Sequence, residues 1–141
     1  MNDIIRNKIA SIERCLKRIK EEYVGHEEML EHDFTRQDSI ILNIQRACEA
    51  AIDLGTQAVR LKNLGIPQTS RDVFILLESN GILPKQLSKN MQAMVGFRNI
   101  AVHDYQELNL DIVKAVIATH LNDFQALIKE IQKVFRSREV Q

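Results

Sequence analysis

Ile5-Arg6-Asn7-Lys8-Ile9-Ala10-Ser11-Ile12-Glu13-Arg14-Cys15-Leu16-Lys17-Arg18-Ile19-Lys20-Glu21-Glu22-Tyr23 decides the fold. Ile5, Ile9, Ile12, Leu16, Ile19 and Tyr23 recur at steps of three and four, and the residues between them are mostly charged. That spacing puts apolar groups on one face of an α-helix, whereas a half-buried strand needs strict alternation. An acidic connector, Val24 to Phe34, follows. Thr35 or Asp38 then stands where a cap of a long second helix is expected. Its apolar side carries Ile40, Ile41, Ile44, Cys48, Ala51 and Ile52. Its other side carries Asp38, Arg46, Glu49, Asp53 and Arg60.

Gly65-Ile66-Pro67-Gln68-Thr69 breaks that helix. Ser70 reads as the cap of a short third helix that stops at Asn80-Gly81. Pro84 opens a fourth helix, where its missing N–H costs nothing. Asn109 or Asp111 starts a last one, with Val113, Val116, Ile117, Leu121, Phe124, Leu127, Ile128, Ile131 and Phe135 on one side. Short loops between amphipathic helices imply an all-α, antiparallel up-and-down bundle of about five helices, forming a single domain over residues 1–141.

The 141 residues carry 19 basic and 19 acidic side chains. A net charge of zero argues against bulk electrostatic attraction to nucleic acid or membrane, so any RNA site must be a local concentration of positive charge. Cys15 and Cys48 lie on apolar helix faces without a Cys-x-x-Cys pattern, which fits a reduced, cytoplasmic protein. No run approaches the roughly 18 apolar residues of a membrane span, and the N-terminus lacks an apolar signal core.

The chemistry concentrates in Arg98-Asn99-Ile100-Ala101-Val102-His103-Asp104-Tyr105. Arg offers a permanently charged planar fork for phosphate. His is the side chain that moves protons near neutral pH. On the fourth helix, Leu87, Met91, Met94, Val95, Ala101 and Val102 form an apolar stripe with Arg98 in its middle. A cation there is costly unless it is paired, or unless the stripe lines a cleft or a subunit interface. His103 falls about 140° around the helix from Arg98, so the two converge only through a helix break or across a dimer axis. Structural roles stay open on spacing alone: His103 capping a helix end, Arg98 in an interface ion pair, Tyr105 as a half-buried aromatic.

The segment resembles the Arg-x4-His-x-Tyr motif of the HEPN superfamily, specifically its HepT-like toxins. Asn99 matches the polar residue that often follows the Arg there. Pro67-Gln68-Thr69-Ser70-Arg71-Asp72-Val73-Phe74, Leu77, Gly81-Ile82-Leu83 and Met94-Val95-Gly96-Phe97-Arg98-Asn99 resemble the family's central block. The resemblance implies a metal-independent endoribonuclease toxin of a type VII-like toxin–antitoxin pair. It implies a homodimer whose cleft joins Arg and His from both subunits, with no cofactor. It also implies a nucleotidyltransferase antitoxin partner that silences the toxin by AMPylation of Tyr105. In that frame His103 is the general base, Arg98 binds the scissile phosphate, and Asn99 orients His103 or contacts the phosphate. Tyr105 is a poor base, since a phenol ionises near pH 10, and serves better as a phosphate or base contact and as the AMP acceptor.

Other groups carry less. His26 and His32 are six apart, the wrong spacing for a zinc helix. His120 sits on the apolar side of the last helix and reads as a satisfied histidine. Arg46, Glu49 and Asp53 read as a solvated or ion-paired stripe, and Asp38, near the start of that helix, reads as polar surface ahead of any role in supporting the cleft. Lys129, Lys133, Arg136 and Arg138 form a solvated basic tail. Two rivals remain: a non-catalytic helical binding or substrate-presenting subunit of a nucleotidyltransferase, and a purely structural dimerisation bundle.

Overall fold

A computed structural model describes residues 2–140, with side-chain surroundings described as far as Arg136. Met1, Gln141 and the Arg138 side chain lie outside the described residues. Every regular element described is helical. The order is α1 (Asp3–Tyr23), a 3₁₀ turn (Glu27–Met29), α2 (Phe34–Leu61), α3 (Ser70–Ser79), α4 (Lys85–His103), a 3₁₀ turn (Tyr105–Glu107) and α5 (Leu110–Ala115). A π-helical turn (Val116–His120) then leads into α6 (Leu121–Val140).

The apolar stripe of α1 is the one its spacing predicts: Ile5, Ile9, Ile12, Leu16 and Ile19 are buried, joined by Cys15, with Tyr23 at the margin. It packs along α2, while α3 and α4 pair against α2 and α6 closes the bundle against α1, α2 and α4. Phe74, Phe124, Leu54 and Leu77 fill the centre. Cys15 and Cys48 are both buried and unpaired. No described helix is long and apolar enough to cross a membrane.

Two caps differ from expectation. Asp33, not Thr35 or Asp38, caps α2, its carboxylate accepting the Arg36 N–H at 3.1 Å. All three are competent caps, and the tertiary path of the connector selects among them. Thr69, not Ser70, caps α3 in a reciprocal box with Asp72. That choice leaves the Ser70 hydroxyl free for another partner. Asn109 caps α5 as anticipated, accepting the Asp111 N–H at 2.7 Å.

Gly55 lies mid-helix in α2, where glycine costs about 1 kcal/mol relative to alanine. Its reason is contact with α3: a Cβ at Gly55 would sit 2.6 Å from Val73 Cγ1. Val73 is buried and branched, so it cannot swing away. Gly55→Ala is therefore expected to destabilise the fold by about 1–3 kcal/mol through overpacking, despite its better helix propensity. Denaturant unfolding checks this; a stabilised variant would show that α2 and α3 separate freely.

Candidate functional site

Position begins with α4. Ser88, fully buried, donates its hydroxyl to the Phe74 carbonyl at 3.1 Å and fixes α4 against α3. Near the same end, Asn90 Nδ2 donates to Asp123 Oδ1 at 3.3 Å, and Asp123 Oδ2 meets His120 Nδ1 at 2.8 Å. His120, at the end of the π-helical turn, is thus the satisfied histidine that its place on the apolar side of the last helical stretch suggested. The anchored helix runs without a break to His103, with Leu87, Met91, Met94, Val95 and Ala101 buried. Val102, assigned to the same stripe from sequence, is exposed instead. It lies on the last turn, beyond the reach of the packed helices.

Arg98 is half-buried where α4 meets α2 and α3. Its Nη2 donates to Ser70 Oγ at 3.2 Å, and its Nε is buried with no hydrogen-bond partner. Among the described residues no carboxylate pairs with it. The Cys48 thiol lies close enough to feel its charge: burial pushes that thiol's pKa well up, and the guanidinium partly opposes the shift. A desolvated guanidinium with an unmet donor costs on the order of 1–3 kcal/mol, so a core would not select it. The N-terminus of α3, which carries Ser70, adds the positive end of a helix dipole beside Arg98.

Arg71 brings a second cation. Its guanidinium lies over Gly96, 2.9 Å from where a Cβ would stand. Gly96, Asn99 and His103 fall within about 60° of one another around α4. Arg71 therefore heads the face that Asn99 and His103 continue. Both of those side chains are exposed. His103 does not cap α4; the backbone N–H of Asp104 closes the helix on the Ile100 carbonyl at 2.8 Å. Arg98 and His103 remain on different sides of an unbroken helix, about 7.5 Å apart along its axis.

Tyr105 begins the 3₁₀ turn after α4 and is 40% exposed. Its hydroxyl donates a hydrogen bond to Asp38 Oδ1 on α2. Burial, then that bond and the carboxylate's charge, push the phenol's pKa well above its ordinary value. Asp38 also borders an open polar hollow of about 550 Å³ on the α1–α2 surface. An apolar hollow of about 380 Å³ lies elsewhere, between α4 and α5, lined by Phe97, Ile100, Ile112 and Val116. It does not contain Arg98, His103 or Tyr105. Of the lesser candidates, Asp53 pairs with Lys8 at 3.1 Å and Glu49 accepts from Gln45, as a solvated stripe does. His26 and His32 are exposed, and no three His, Cys, Asp or Glu among the described residues are grouped to hold a metal ion.

One short segment of this all-helical bundle presents a half-buried Arg, a solvent-facing His and a tethered Tyr, the residues that carry the resemblance to the HEPN superfamily. The chain belongs to the HepT-like ribonuclease family, whose model matches residues 12–131. It is 57% identical over 132 residues to the mRNA nuclease HepT of Shewanella oneidensis, covering 94% of this chain and 98% of that one. It is 26% identical over 129 residues to the tRNA nuclease HepT of Aphanizomenon flos-aquae, covering 91% and 87%. Among solved structures it resembles the tri-AMPylated Shewanella oneidensis HEPN toxin in complex with its MNT antitoxin. There the TM-score is 0.90, the identity 56%, and the coverage 94% of this chain and 99% of that one. A toxin–antitoxin crystal structure with AMP-PNP is similar at a TM-score of 0.88 and 56% identity, covering 93% and 99%.

Sequence reasoning missed two members of this neighbourhood. Ser70 reads from sequence as a cap, and only the adjacent Thr69 frees it to hold Arg98. Arg71 gave one signal, the glycine at position 96 within an otherwise well-packed helix.

Proposed function

We propose that this chain is a metal-independent endoribonuclease toxin, acting on RNA in the cytoplasm and silenced by a nucleotidyltransferase antitoxin. The observation that carries the reading is Arg98: a half-buried guanidinium held by one hydroxyl, with no carboxylate partner among the described residues and an unmet Nε. A phosphate supplies the anion that the partly exposed guanidinium lacks, since the planar fork and a phosphate match in charge and geometry. The HepT names of the relatives support the same assignment.

His103 takes the proton from a 2′-hydroxyl, whose oxygen attacks the adjacent phosphorus. Arg98 neutralises the non-bridging oxygens as charge builds, and Asn99 orients His103 or contacts the phosphate. The 5′-oxygen leaves with a proton from a second imidazole. One subunit has a single His103, and its Arg98 faces away from it, so the working cleft is composite. Two copies pair across the exposed end of α4, where Ile100 and Val102 lie open to solvent. Tyr105 is the AMP acceptor; AMP groups there occupy the cleft and present phosphates to its cations.

End chemistry tests the mechanism. RNA cleaved by the purified chain should carry 2′,3′-cyclic phosphate and 5′-hydroxyl ends and should form equally in chelator. A 3′-hydroxyl product, or activity lost to chelators, would overturn it.

A further inference from the structure

Tyr105 and Asp38 stand 67 positions apart, on different elements, yet they share a direct hydrogen bond. The contact adds nothing to the core: both residues are exposed, and neither helix needs it as a cap. It fixes the direction of one phenol O–H and places a carboxylate oxygen, as acceptor, at its proton. The same relation between a hydroxyl nucleophile and an aspartate serves phosphoryl transfer to hydroxyl groups in kinases.

The geometry points to Asp38 as the proton acceptor for AMP transfer to Tyr105, a base carried by the modified chain rather than by the enzyme that modifies it. This rests on Tyr105 being the AMP acceptor. A partner nucleotidyltransferase supplies ATP. As the phenol oxygen bonds to the α-phosphorus, its O–H bond breaks and the proton passes to Asp38 Oδ1. The bond from the α-phosphorus to its bridging oxygen breaks, and pyrophosphate leaves with that electron pair. Nothing is oxidised or reduced. Proton removal at this site needs such help, because partial desolvation of the ring's hydroxyl and its bond to Asp38 hold the free phenol in its neutral form.

The product oxygen has no hydrogen to donate, so AMP addition also cuts the tie between α2 and the turn after α4. Asp38 is reached from the hollow it borders, where Arg18, Glu21, Glu22 and Arg46 are the charged neighbours. His103, Asp104 and Glu107 flank Tyr105 along its own segment. None of these is hydrogen-bonded to the phenol, which leaves Asp38 as its acceptor among the described residues.

The test follows AMP addition by intact mass in single-turnover reactions with ATP and saturating nucleotidyltransferase antitoxin. Wild type, Asp38→Asn, Asp38→Glu and Tyr105→Phe are compared across neutral to mildly alkaline pH. Asp38→Asn should slow the first addition by about 10²–10⁴-fold at neutral pH. Its rate should then climb with pH, because the phenol must ionise unaided, while Asp38→Glu recovers part of the loss. Co-purification with the antitoxin should persist in every variant. Modification of Asp38→Asn at the wild-type rate overturns the role of Asp38 and leaves Tyr105 as acceptor. A slowing that follows lost antitoxin binding, with no change in pH profile, also overturns it. Wild type that gains no AMP at Tyr105 overturns the acceptor assignment itself.

Discussion

Arg98→Ala and His103→Ala should each abolish most RNA cleavage, the first by about 10²–10³-fold and the second by about 10²–10⁴-fold. The losses arise differently. Without Arg98 the crowded phosphorane forms with its negative charge unmet, and losing one such donor costs about 3–4 kcal/mol in comparable sites. Without His103 the 2′-hydroxyl must ionise into water. Arg98→Lys should recover little, because a point charge on a flexible stem cannot reproduce a bidentate fork. Stability separates catalysis from a structural role. Arg98 carries a buried, unpartnered Nε, and its removal relieves a penalty on the order of 1–3 kcal/mol. That relief opposes the packing lost with its methylenes. Arg98→Ala should therefore keep or raise the unfolding midpoint while losing activity, measured by thermal melts beside gel analysis of cleaved RNA. A variant that melts early and keeps cutting would identify Arg98 as a structural strut and favour the dimerisation-bundle alternative.

Tyr105→Phe should accept no AMP at all when coexpressed with a nucleotidyltransferase antitoxin, an all-or-none effect on intact mass. Phenylalanine keeps the ring and deletes the one oxygen that can be modified. Whatever cleavage the variant retains should then resist silencing, so RNA breakdown continues in cells where the wild type has been quieted. If Tyr105→Phe gained AMP elsewhere, or were silenced as fully as wild type, the switch would not reside at this phenol. The non-catalytic alternative makes the opposite forecast: no variant at Arg98, His103 or Tyr105 would change RNA integrity.

The helical rods were legible because their signals are local. The α1 stripe repeats five times, Asn80-Gly81 stops α3 with Gly81 at a positive φ of 75°, and Asn109 opens α5. The candidate residues of the motif were legible as a set for the same reason. What escaped depends on distance or on near-ties. Thr69 and Ser70 are adjacent hydroxyls with similar cap propensity, and only the Asp72 carboxylate completing the box decides between them. The partnership of Tyr105 with Asp38 has no sequence period to announce it, since the path of the bundle sets it. The π turn at Val116–His120 leaves the apolar pattern of the last helix almost unchanged, so spacing could not reveal it. Val102 went wrong because helical phase predicts which way a residue points, not whether another helix is there to cover it.

Because α4 runs unbroken from Lys85 to His103, a lone chain carries half of the proposed cleft. Cutting capacity then follows mass action between copies: while most chains are single, it grows with the square of their concentration. A few molecules made ahead of the antitoxin would be nearly harmless, whereas a modest surplus would be disproportionately costly to the cell. In a composite cleft of that kind, the geometry of one straight helix would convert gene dosage into a threshold.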